Sequence, residues 1–130
     1  MADNLTDLSE LRLLDWVNVV GTPARPTAPL KVALVTVNGT ESAAGTEVAP
    51  GANAYARQSV TFTAAAAGSA SNTALLQWTN MPAVTVVGLE VWDSAPTPVR
   101  LWFGPLTAAK TLSAGDTFEL PVGALATGLN

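Results

Sequence analysis

Histidine and cysteine are both absent from this 130-residue chain. That removes the commonest general base, metal ligand and thiol nucleophile. An activated serine or threonine would then need lysine as its base, and the chain offers Lys31 and Lys110. Lys31 opens an apolar run and Lys110 sits beside a turn, the positions of solvated edge charges that discourage sheet-to-sheet pairing. Two carboxylates facing each other could hydrolyse a glycosidic bond. Glu90 and Asp93 share a predicted strand but point to opposite faces, and Asp116 and Glu119 flank a turn with the same defect. No D-x-D-x-D run supplies the closely spaced oxygens that calcium requires. Gly39, Gly45 and Gly51 are loop glycines with no following helix to cradle phosphate. These residue types predict a non-enzyme, with no catalytic, cofactor-binding or metal-ligating residues and no cofactor.

Four tryptophans, Trp16, Trp78, Trp92 and Trp102, could form a sugar platform or fill a core or subunit interface. Trp92 and Trp102 fall on predicted strands joined by a short loop, which favours a packed cross-strand pair over the platform. Arg57 stands mid-strand, where a guanidinium can bridge carboxylates of a neighbouring chain or pair internally with Glu90 or Glu119.

Composition narrows the partners. Charged residues make up 12 % of the chain and apolar ones 48 %, against about 25 % charged in an ordinary globular domain. A surface so short of charge is either one that other proteins cover or that of a small Ala/Thr-rich β domain that happens to be lightly charged, and the first is the expectation. The net charge is −4 and the six basic residues do not cluster, so no phosphate-tracking stripe exists and neither nucleic acid nor an anionic membrane is an expected partner. No apolar run approaches ~20 residues. The opening MADNLTDLSE is acidic where a secretory signal would be basic and then apolar, which predicts synthesis in a cytoplasm without secretory export.

The elements that must position these residues read as follows. Met1 to Asn4 is a flexible lead-in. Asp7 to Val20 is a helix, capped by Thr6 or Asp7, with the Asp7–Glu10 spacing of a capping box and Gly21 as its C′ residue. Its apolar stripe packs either on the sheet or on a neighbouring subunit. Pro23, Pro26 and Pro29 stiffen a linker that would hold the helix at a distance. Lys31 to Val37 is a central strand, apolar on both faces, and Asn38-Gly39 a tight turn. Thr40 to Ala54 reads as a long loop.

Tyr55 to Thr63 alternates strictly, with Ala56, Gln58, Val60 and Phe62 on one face, and a small-residue connector leads on to a strand from Leu75 to Trp78. In Val84 to Asp93 the even-numbered residues oppose the odd ones. A five-residue connection leads to Val99–Leu106, broken at Gly104-Pro105, and short strands follow at 110–112, 117–120 and 125–129. The pattern predicts a mainly β fold: a single β-sandwich of about seven to eight strands, immunoglobulin-like or jelly-roll-like, with one N-terminal α-helix. Its divisions are a helical arm over 1–21, a proline-rich linker over 22–30 and the sandwich over 31–130.

The string YARQSVTF, followed by small residues and GSASNTA, together with KVALVT, GTEVAPGANAYAR, VVGLEVWD and LTAAKTLSAGDTFELPVGAL, resembles a family of small tailed-phage virion structural proteins, known variously as head decoration, minor capsid or tail fibre proteins. The resemblance spans most of the chain from about Leu11. It implies a homo-oligomeric virion component made in the host cytoplasm, with a trimer favoured over a dimer. The first expectation is a capsid decoration protein on the capsid exterior, binding and reinforcing the major capsid protein lattice. The alternative is a tail or tail-fibre component touching the host surface. Leu8, Leu11, Trp16, Arg57 and Trp102 are the expected protein–protein interface residues.

Overall fold

The computed structural model describes residues 4–129. The fold is mainly β and sandwich-like, with one helix and ten strands among those residues, more than the seven or eight that turn spacing suggests. One layer is an antiparallel sheet running β1 (Asn4–Leu5), β8 (Arg100–Leu112), β7 (Val84–Trp92), β2 (Leu30–Val37). Two short strands, β3 (Thr46–Glu47) and β4 (Gln58–Val60), share the far side of β2. Opposite lie two ribbons, β5 (Ser69–Ser71) with β10 (Ala126–Gly128), and β6 (Leu76–Trp78) with β9 (Phe118–Leu120). The helix α1 spans Asp7–Val17, and no helix among the described residues is long and apolar enough to cross a membrane.

The core forms where the sheet's Val32, Leu34, Val86, Leu89 and Val91 meet Leu76, Trp78, Phe118 and Leu120 of a ribbon. Trp78 and Phe118 pack edge-on, their rings 5.6 Å apart, an arrangement that adds about 0.5–1.5 kcal/mol to the area they bury. β2 is central, as its composition requires, with Val32 to Val35 all buried. Its far edge changes partner from β4 to β3 midway. At the junction the Leu34 N–H donates to the Tyr55 hydroxyl at 3.0 Å, and that hydroxyl donates to Glu47 at 2.8 Å. A side chain thus completes the ladder where no strand does.

Several expectations are corrected by tertiary contacts. Asn4 belongs to β1, pairing with Phe103; the rest of the expected lead-in, residues 1–3, lies outside the described residues. The alternating stretch forms a strand at Gln58–Val60 only, and Tyr55 turns into the core, 2 % exposed. Burial pushes the Tyr55 hydroxyl pKa well above its ordinary value, the Glu47 carboxylate adding to the rise. The small-residue connector is itself a hairpin: Ala66 and Ser69 exchange backbone bonds around Ala67 and Gly68, both at positive φ, as a two-residue type I′ loop demands.

Strict alternation along β7 fails because of a bulge. Val86 faces Lys110 while Gly88 faces Pro105, so Val86 shares the core face with Leu89 and Val91. Gly104-Pro105 does not end the strand, which continues through this irregularity to Leu112. A second register shift sets Trp102 opposite Val91 and Trp92 opposite Arg100. Trp92 and Trp102 therefore form no cross-strand pair.

Candidate functional site

On the face of the sheet away from the core, Glu90 is 2 % exposed. It accepts from Arg100 Nη1 at 3.2 Å, Trp92 Nε1 at 3.2 Å and Gly45 N at 2.7 Å. Arg100 Nη2 donates to the carbonyls of Thr40 and Glu41. The loop between β2 and β3 is thereby drawn flat onto the sheet. Glycine allows this: a Cβ at Gly39 would come within 2.5 Å of Glu90 Oε1, and one at Gly88 would collide with Asn38 Oδ1. The expected tight turn at Asn38-Gly39 is displaced, the turn being closed by Thr40 N–H to Ala43 O instead.

The same network seats α1. Glu41 O accepts from the Asp7 N–H at 3.2 Å, and Thr6 N donates to Leu101 O. Thr6, not Asp7, is the N-cap. Its hydroxyl accepts from Ser9 N and donates to Arg100 O at 2.8 Å, satisfying one of the helix's free donors. At the other end the helix stops short of Val20. Val20 N–H bonds Asp15 O and Val19 N–H bonds Trp16 O, the paired bonds of a Schellman motif. The left-handed position is filled by Val19, at φ 59°, rather than by Gly21.

The proline segment does not hold the helix at a distance. Asp93 accepts from the backbone N–H of Thr27, Ala95 and Val99, and Ser94 Oγ donates to Pro29 O at 2.6 Å. Burial pushes the Asp93 pKa up, but the three backbone donors and the Arg12 charge outweigh it and leave it lowered. Residues 22–30 are thus pinned to the β7–β8 hairpin and become one wall of a groove of about 550 Å³. α1 forms the other wall through Ser9, Arg12, Leu13 and Trp16, while Leu5, Leu30, Leu101 and Trp102 line it from the sheet. Arg12 and Arg25 stand at its rim without an ion-pair partner, since among the described residues Arg57 and Arg100 alone make ion pairs.

α1 buries none of its residues. Leu11 is 61 % exposed, Leu14 58 % and Trp16 69 %, so the helix is apolar toward the groove and apolar away from it. Of the expected interface residues, Trp16 and Trp102 both line the groove, while Leu8 and Leu11 are exposed on α1 outside it. Arg57 is engaged elsewhere. It pairs with Glu47 through two bonds of 3.0 and 2.8 Å and stacks 4.5 Å over the Trp92 ring, so the internal partner is neither Glu90 nor Glu119. Arg25, Leu13 and Leu101 are not among the interface residues expected from the sequence. Arg25, a lone cation between two prolines, carried the one local signal.

The candidate carboxylate pairs are also separated. Glu90 lies in its buried ion pair, and Asp93 caps the hairpin connection. Asp116 accepts from Ser113 N, while Glu119 accepts from Gln77 on the neighbouring strand.

The family model described as Podophage GP4 fiber I protein gp80 matches residues 4–128, nearly the whole chain. No curated protein is similar enough to count as a match. A match of this extent makes the chain a phage virion structural protein, and it belongs to the Podophage GP4 fiber I protein gp80 family.

Proposed function

We propose that this protein is a non-enzymatic structural component of a phage fibre, acting by docking against neighbouring protein subunits. The observation that carries the proposal is the coincidence of a fibre-family match over nearly the whole chain with a helix that has no buried residue. Leucine, valine and tryptophan side chains left in water are stabilised when a partner covers them, by roughly 25 cal/mol per Å² of apolar surface removed. Contiguous exposed apolar surface of this kind marks an interaction site. The family match favours the fibre over capsid decoration, the sequence's first expectation. Self-association and contact with other virion proteins supply the partners, and nucleic acid and membrane supply none.

Quantitative mass spectrometry of purified virions tests this reading through the copy number of the chain relative to the major capsid protein. A fibre component is present at a small fraction of the capsid protein. Stoichiometric abundance with the shell lattice would overturn the fibre assignment in favour of decoration.

A further inference from the structure

α1 has two apolar sides of different shape. At 3.6 residues per turn, Ser9, Arg12, Leu13 and Trp16 occupy one arc of about 100°, the wall of the groove, and Leu11 and Leu14 stand on the opposite side as a ridge. The two sides also differ in charge. Exposed Asp7, Glu10 and Asp15 flank the ridge, whereas the groove is lined by Arg12 and Arg25, which make no salt bridge among the described residues, Arg12 acting on Asp93 only at longer range.

We propose that the acid-flanked Leu11–Leu14 ridge of one copy inserts into the arginine-rimmed groove of a second copy. Leu11 and Leu14 cover Trp16 and Trp102 of the receiving chain, and the carboxylates meet Arg12 and Arg25. Charge complementarity selects a second copy: the groove offers two cations that make no salt bridge, and the chain's own ridge presents three carboxylates around an apolar centre. Such matching steers encounter and fixes register.

Ridge and groove lie on opposite sides of the same helix, so a copy cannot fill its own groove. Each copy instead donates a ridge to one neighbour and accepts a ridge from another. That interface is heterologous, and it closes into a ring when the rotation per step allows. The inference rests on α1 being an assembly face, as in the proposed function, but not on where in the virion the assembly sits.

Sedimentation velocity and native mass spectrometry of the full chain test it, using a ridge variant (L11D with L14D) and a groove variant (R12E with R25E). Circular dichroism checks that each variant folds, which the exposure of Leu11, Leu14 and Arg25 favours, and R25E alone serves as the groove variant where R12E disturbs Asp93. The wild type assembles, and raising salt weakens the assembly. Each variant alone associates about tenfold or more weakly, a change of roughly 1.4 kcal/mol or more. An equimolar mixture of the two forms a heterodimer, because the ridge of the groove variant and the groove of the ridge variant are both intact. A monomeric wild type, variants that assemble as the wild type does, or a mixture that forms no heterodimer would each overturn the proposal. None of these outcomes alters the copy number per virion, so the fibre reading stands or falls separately.

Discussion

Arg100 and Glu90 lie 3.2 Å apart, with side chains 8 % and 2 % exposed, and between them they hold both the β2–β3 loop and the start of α1. The carboxylate anchors Gly45, and the guanidinium anchors the carbonyls of Thr40 and Glu41. Glu41 O in turn accepts from the first residue of the helix. A buried pair of this kind matters less for its own attraction than for what is stranded when one member goes.

Glu90→Gln and Arg100→Met should therefore each destabilise the fold by about 3–5 kcal/mol, because each leaves a buried charge uncompensated. Replacing both together should cost less than the sum of the two. Urea denaturation of the single and double variants measures this. Simple additivity would show that the two side chains are not coupled.

Tyr55→Phe should cost about 1–3 kcal/mol, since it leaves the buried Leu34 N–H without a partner at the gap between β3 and β4. Hydrogen exchange at Leu34 reports the same event locally. Its amide should exchange faster in the variant, with amides of the β6–β9 ribbon changing only as far as global stability does.

Val19→Gly should stabilise the chain. A β-branched residue at φ 59° bears a steric cost that glycine avoids. After glycine's extra freedom in the unfolded chain is allowed for, a gain of about 0.5–1 kcal/mol is expected. Val19 is 89 % exposed, so little packing is lost. Thermal unfolding of wild type and variant decides the sign, and a lower melting temperature for the glycine variant would contradict the argument.

Much of the fold was legible because it rests on local rules. The apolar run at Val32 to Val35 announced a central strand, the prolines around Ser94 to Pro98 a hairpin connection, and the N-terminal polar residues a helix start. What escaped depends on contacts distant in sequence. The β7 bulge inverts the alternation at Val87, and Tyr55 leaves its strand because its hydroxyl is needed 21 residues away at Leu34. Val19 takes a position that local preference assigns to Gly21. Around the candidate site, Leu11, Trp16 and Trp102 could be named as interface residues. The groove could not, since its walls come from α1, the proline segment and β8 and meet only after Asp93 has gathered Thr27 to the hairpin.

The central claim is that the chain is built into the phage fibre. The most direct measurement is electron microscopy of intact virions labelled with gold-conjugated antibody against this protein. Label concentrated on the fibres, with the capsid shell bare, is the result predicted. Label spread over the shell and absent from the fibres would contradict the account.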